Sequence, residues 1–255
     1  MNPTVSSIHF SPIKSLSFQS LNTATIKKDI GIEEDRIFAF SRAINFSLSQ
    51  IVEKDPNKRE LIHFLTLKNT PFLNKYDFKF ENEMISISKN KTLISTHLFQ
   101  DKKEITKEIS KLEPKLPSPI FLLKNELFPF YDTTNASNVS NTISLINLNS
   151  IKDFEQKINK QIEFERFRGN IYLKDLVAFE ERNWINKVLK INSLEFKVLN
   201  HIPRCSATNI KINSDQIDIN LPNKLKKIYG HMDMGIYLHP LSHGKISVGD
   251  QVSLS

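Results

Sequence analysis

The chain of 255 residues holds one cysteine, Cys205, set in Pro203-Arg204-Cys205-Ser206-Ala207-Thr208. A thiolate is a soft ligand, suited to a soft or high-valent metal. A guanidinium beside it, as at Arg204, favours the thiolate form. The competing reading of a lone cysteine is a buried side chain acting as a small hydrophobe. A single cysteine closes no internal disulfide, and it cannot supply the four thiolates of an iron–sulfur cluster. Histidine is the other ligand type to weigh. His239 and His243 lie four apart and His231 precedes them, but Pro240 and Gly244 interrupt the helix that would put the pair on one face. Zinc is therefore a poor fit. Arg168 follows Glu163 and Glu165, so it reads either as half of a surface ion pair or as an anion fork, its planar guanidinium donating two hydrogen bonds at once.

These groups must be held by elements, and the pattern is mostly that of strands. Phe78 and Phe80 alternate with charged residues, Asn82 marks a turn, and Ile85 and Ile87 alternate with serines. Phe196 and Val198 alternate with Lys197 on the way to Cys205. Ile246 and Val248 precede Gly249-Asp250, with Val252 and Leu254 beyond, which predicts that the chain ends in a hairpin strand. Helical spacing occurs twice. Ile105, Ile109 and Leu112 form a stripe behind an Asp101 cap, with Glu104 three residues on. Ile151, Phe154 and Ile158 form a second stripe, which Ser150 is expected to cap. Pro114, Pro117 and Pro119 break the chain after the first helix and set a boundary within 113–120. The run Asp132 to Thr142 is rich in Asn, Ser and Thr and reads as a loop.

Composition narrows the classes further. Hydrophobic residues make up 39% and charged ones 25%, the profile of an ordinary globular protein large enough to bury a sizeable core. The net charge of +7 is spread along the chain without an aromatic–basic run, helix-turn-helix or zinc-finger spacing, so nucleic acid is not an expected partner. No apolar run is long enough to span a bilayer, and Met1 to Ser20 lacks the basic start and apolar stretch of a secretory signal. A cytoplasmic protein without a membrane partner is expected. No Gly-x-Ser-x-Gly elbow, Walker loop or dinucleotide fingerprint occurs, which disfavours a serine hydrolase or nucleotide-binding enzyme.

The order of short motifs resembles that of MOSC domain proteins, the family of molybdenum-cofactor sulfurase C-termini and amidoxime-reducing components. The resemblance is carried by Ser11-Pro12-Ile13-Lys14-Ser15, by Gly31 to Arg36 with its closing Asp35-Arg36, and by Phe167-Arg168-Gly169-Asn170-Ile171. Pro203-Arg204-Cys205, Gly235-Ile236-Tyr237 and Ile246 to Val252 continue it. Three positions depart from the family pattern. Gly169 stands where proline is usual and Ser11 where an aromatic is common. The acidic segment before Trp184 is one residue longer if Glu181 carries the acid.

The resemblance implies an α+β fold: a β-barrel-dominated MOSC domain over 119–255 and a smaller N-terminal β-rich, barrel-like domain over 1–118. It implies molybdenum held on molybdopterin in the cleft between them, with Cys205 as metal ligand and catalytic residue. Lys14, Ser15, Arg36, Ser140, Asn141, Thr142, Arg168, Asn170, Pro203, Arg204 and Tyr237 are the implied cofactor contacts. The implied activity is reduction of N-hydroxylated or N-oxygenated small molecules. The electrons would come from a separate ferredoxin, flavodoxin or reductase, because the chain lacks cysteines for its own cluster and stops soon after the Gly249-Asp250 turn. The sulfurase side of the family implies an alternative, a sulfur carrier holding a persulfide on Cys205. A cofactor-binding module without turnover is a third reading.

Overall fold

Alternation of apolar and polar residues along Leu194–Pro203 and Asp233–Pro240 buries Leu194, Phe196, Val198 and Ile202 on the first and Met234, Ile236 and Leu238 on the second. These two strands form the middle of the largest sheet in the computed structural model, which describes residues 2–131 and 141–255. The sheet has eight strands in the order Val252–Leu254, Val188–Ile191, Leu194–Pro203, Asp233–Pro240, Ile143–Asn147, Ile171–Lys174, Thr4–Phe10, Gln19–Leu21. Ile143–Asn147 and Ile171–Lys174 run parallel, and the helix between them makes the crossover that parallel pairing requires. Val5 N–H donates to Asp250 O and Gly249 N–H to Val5 O, so backbone bonds join the seventh strand to the turn leading into the first. The described residues as a whole are strand-rich, with four α-helices: α1 (Phe46–Lys54), α2 (Lys102–Leu112), α3 (Leu148–Ile158) and α4 (Leu221–Tyr229).

The 76–89 region follows its sequence closely. Tyr76–Glu81 and Met84–Lys89 pair antiparallel with Glu81 opposite Met84, and Asn82 and Glu83 both take positive φ, 49° and 62°. That is the two-residue turn whose twist matches its strands. Phe78, Phe80, Ile85 and Ile87 then share a core with Ile105 and Ile109 of α2. Asp101 sits at the α2 cap without a side-chain hydrogen bond; its backbone carbonyl takes the Glu104 and Ile105 N–H groups.

Two expectations are corrected. α3 starts at Leu148, and Asn147 is its cap, accepting from Asn149 N–H at 3.0 Å. Ser150 lies inside the first turn, fully buried, where it accepts from Phe179 N–H at 2.8 Å and donates to Glu181 at 2.9 Å. Glu181 is itself wholly buried, also accepts from Asn147, and is pushed above its ordinary range by burial. The stripe was sound, but an Asn three residues earlier competes for the cap and wins because Ser150 is used in the core.

The end of the chain is not a hairpin. Gly244–Ser247 pairs with Thr23–Lys27, whereas Val252–Leu254 pairs with Val188–Ile191 in the other sheet. The intervening turn, closed by Asp250 accepting from Ser247 N–H at 2.8 Å, passes the chain from one sheet to the next.

Across the proposed 118/119 boundary the chain is interwoven. Val5, Ile8 and Phe10 share a core with Leu145, Ile171, Phe196 and Ile236, while Ile13, Phe38 and Leu122 share another with the 76–109 region. The first strand thus completes the large sheet before the chain leaves to build the second core.

Candidate functional site

Where the two cores meet, four loops converge. Lys14 N–H donates to Phe38 O at 2.8 Å, Phe38 N–H to Pro12 O at 3.0 Å and Arg36 N–H to Ser11 O at 2.7 Å, which laces the 11–16 turn to the 35–38 segment. Asn170 N–H donates to Ser144 O at 2.9 Å, and His9 N–H to Asn170 O at 2.7 Å, which ties the 167–170 turn to the first strand. Arg204 N–H donates to Met232 O at 2.9 Å and fixes the turn that carries Cys205. Together these loops surround a cavity of about 370 Å³. That is the size of a small-molecule or cofactor cleft.

Lys14, Ser15, Arg36, Thr142, Arg168, Asn170, Pro203, Arg204, Cys205 and Tyr237 all line it. Asn141 does not; its amide donates to Asp29 O at 2.7 Å, away from the cleft. Ser140 lies outside the described residues. Ser15, Arg36 and Arg168 each take a left-handed backbone, with φ of 63°, 56° and 51°. Such angles cost a non-glycine residue roughly 1–2 kcal/mol each and recur where a side chain is held for use.

The cations differ in how they are satisfied. Lys14 is buried and donates to Phe130 O at 3.2 Å and Tyr131 O at 2.6 Å. Arg36 is bonded through Nη1 to Asp35, stacks over Tyr131 at 5.5 Å, and the same Nη1 lies 3.5 Å from Asn170 Oδ1. Burial acts to lower the Arg36 pKa, but Asp35 outweighs it and leaves the group above its ordinary value. Arg168 has no carboxylate within ion-pair distance among the described residues. Its guanidinium stacks over Phe18 at 4.9 Å and donates to Ser11 Oγ at 3.2 Å and Leu16 O at 3.3 Å. Burial, reinforced by repulsion from Arg36, pushes Arg168 down to about 9. A cation so placed is stabilised by an anion entering the cleft.

Arg168 does not pair with Glu163. Arg166 does, at 2.7 Å, and its fork also grips Asp218 at 2.5 and 3.2 Å. That grip, with Lys160 beside it, draws Asp218 down to about 2. Its folded pKa lies below the unfolded value, so this pair stabilises above about pH 4 and its contribution disappears as pH falls toward 2. Asp218→Asn should therefore lower stability at pH 7 by about 1 kcal/mol, after screening of the half-exposed carboxylate. At pH 2 it should cost almost nothing. Thermal melts of both proteins at the two pH values measure this, and an equal deficit at both would reject it.

Arg204 is spent on the backbone: Nε and Nη2 donate to Met234 O, and Nη1 to Phe167 O at 2.6 Å. It braces the loop that carries the neighbouring sulfur. Asn170, only 1% exposed, is likewise committed, donating to His9 O and Asp35 and accepting from Ser144 N–H and Oγ. Cys205 is solvent-exposed at the rim, not a packed hydrophobe. Ser144 and Tyr237 line the cleft as cross-strand partners. Gly235 lies two residues earlier with φ of 89°, and a Cβ there would overlap Leu145 O, so only glycine lets these strands approach.

Tyr131, Ser144, Arg166 and Phe167 also line the cleft without having been singled out, as do Leu61, Thr66, Leu67 and Lys68 from the 61–68 loop. No cluster of His, Cys, Asp and Glu suited to a metal occurs among the described residues, and His239 instead faces Asp29 at 3.0 Å. No helix among them is long and apolar enough to cross a membrane.

The family model for the MOSC domain matches residues 132–253. Mitochondrial amidoxime reducing component 2 of Bos taurus is 28% identical over 142 residues, 50% of this chain and 42% of that protein. The Homo sapiens protein of the same name is 31% identical over 115 residues, 40% of this chain and 34% of that protein. These matches span less than half the length of the relatives. Among solved structures, YuaD of Bacillus subtilis aligns over 99% of this chain and 94% of its own, at 8% identity and a TM-score of 0.43.

Proposed function

We propose, from the match of the MOSC domain model to residues 132–253, that the chain binds a molybdenum cofactor and works as an oxidoreductase on N-hydroxylated or N-oxygenated small molecules. The observation that carries this reading is an exposed thiol, Cys205, at the mouth of a cleft whose walls present Lys14, Arg36 and Arg168. The residues fit such a group. A pterin phosphate needs cations and N–H donors, and Arg168 is a cation without a carboxylate partner among the described residues. The metal needs one protein ligand, and the sole cysteine is within the same cleft.

When bound, the molybdenum centre supplies the two-electron oxygen-transfer chemistry, while the protein supplies binding and orientation. Arg168, Lys14 and Arg36 hold the anion, with Asp35 and Asn170 fixing the aim of Arg36. Ser15, Thr142 and Tyr237 line the pterin edge, and Cys205 offers its sulfur as the anionic ligand. Arg204 and Pro203 set the height of that sulfur through the loop backbone. A separate donor, a ferredoxin, flavodoxin or reductase, delivers electrons. We read residues 119–255 as the MOSC unit, the eight-stranded sheet as its barrel, and 1–118 as a second unit that lends that sheet the strands Thr4–Phe10 and Gln19–Leu21.

Protein expressed in a cofactor-competent host should purify with near-stoichiometric molybdenum and pterin fluorescence, and it should reduce an aromatic amidoxime when given electrons. Protein free of both metal and pterin from such a host would defeat the reading. The exposure of Cys205 also suits the alternative of a sulfur carrier. In that case native mass spectrometry would show one added sulfur, removable by reductant and absent from Cys205→Ala.

A further inference from the structure

Among the described residues, the turn from Phe164 to Asn170 holds the one cleft arginine, Arg168, that has neither a carboxylate partner nor a guanidinium spent on bracing its own loop. Its backbone is left-handed, at φ 51°, which an arginine does not adopt without support. Part of that support comes from behind. Tyr172 is completely buried, and its hydroxyl accepts from Gly169 N–H at 2.9 Å while donating to Phe164 O at 3.1 Å. One oxygen thus spans both ends of the turn. Phe164 packs edge-on against the same ring at 4.7 Å. Glycine at 169 lets the ring sit this close. A Cβ there would stand 2.7 Å from Ile146 Cδ1 and 3.0 Å from Tyr172 Cζ. A proline, usual in the resembling segment, would also remove the N–H that the phenol accepts.

We propose that Tyr172 is a positioning residue, whose hydroxyl latches the 164–169 turn and thereby aims Arg168 into the anion site of the cleft. This rests on the reading of that cleft as an anion site. The phenol does not touch the ligand; it acts only through the turn. Burial raises its pKa, so the hydroxyl keeps the proton it donates to Phe164 O.

The test uses the full chain without its cofactor and inorganic pyrophosphate as the probe, with binding measured by calorimetry. Arg168→Gln should weaken pyrophosphate binding about tenfold, the size of one lost charge-assisted hydrogen bond. Tyr172→Phe, which keeps the ring and deletes one oxygen, should weaken it about fivefold to tenfold. The double variant should bind no more weakly than Arg168→Gln alone, because the two changes remove the same interaction. A merely structural role for Tyr172 would give additive losses. Gly169→Ala, whose Cβ would crowd the ring at 3.0 Å, should weaken binding in the same direction and serves if that variant folds poorly. Full affinity in Tyr172→Phe, or additive losses in the double variant, would overturn the latch while leaving the cleft reading intact. A wild-type chain that does not bind pyrophosphate would bring down both.

Discussion

Cys205→Ser should fold as the parent does and lose essentially all turnover. The side chain is exposed, and the turn it opens is closed by its backbone, with Thr208 N–H and Thr208 Oγ both donating to Cys205 O. Serine preserves those bonds, so stability should stay within about 0.5 kcal/mol, as for other exposed positions away from caps and cores. Activity should behave differently. Groups that merely orient a metal ligand cost roughly 10–100-fold when changed, and a direct ligand should cost at least the upper end of that range. Steady-state reduction of an aromatic amidoxime, normalised to bound pterin, is the measurement. Turnover within a few-fold of the parent at equal pterin content would make the sulfur a bystander. Loss of a labile sulfur adduct, with no amidoxime turnover in either protein, would move the assignment to the carrier.

Much of this site could be found in the one-dimensional chain because its chemistry sits in short, ordered motifs. Lys14, Arg36, Arg168 and Cys205 are distant in sequence, yet each lies in a turn whose neighbours are distinctive, and the fold brings all of them to one cleft. The hairpin at Asn82-Glu83 was legible for a different reason: turn chemistry and alternation are both local. Other parts were hidden because they depend on tertiary partners. Strand alternation at 246–254 is real, but nothing local states that its halves pair with Thr23–Lys27 and Val188–Ile191. Ser150 has the composition of a cap, and only the buried Glu181 explains why it is not one. The wall formed by Leu61, Leu67 and Lys68 comes from a loop without periodicity, and no pattern marks it. Arg204 lines the cleft, but the two carbonyls that take its donors come from a distant strand and turn, which its own segment does not reveal.

Asp35→Ala should be the most destabilising single change near the cleft. The carboxylate is 1% exposed and gathers three loops. Oδ1 accepts from Ser11 N–H at 2.8 Å, and Oδ2 accepts from Asn170 Nδ2 at 3.1 Å and from Arg36. Alanine leaves the Ser11 backbone N–H and one of the two Asn170 amide N–H groups without their acceptor. It also strands the Arg36 guanidinium next to a second uncompensated cation, Arg168. Breaking a buried charge pair from one side costs roughly 3–5 kcal/mol, which for a chain of this size lowers the melting temperature by roughly 10 °C. Pyrophosphate binding should fall as well, since Arg36 loses the partner that holds its aim. The double variant Asp35→Ala with Arg36→Ala separates the two effects. Removing the stranded charge should recover a substantial part of the stability, because an absent pair is better tolerated than a broken one. Anion affinity should not recover, because the cation itself is gone. Chemical denaturation alongside calorimetry reads both quantities on the same proteins. If the double variant is as unstable as Asp35→Ala alone, the carboxylate serves the Ser11 and Asn170 amides, and the charge pair is not what holds these loops together.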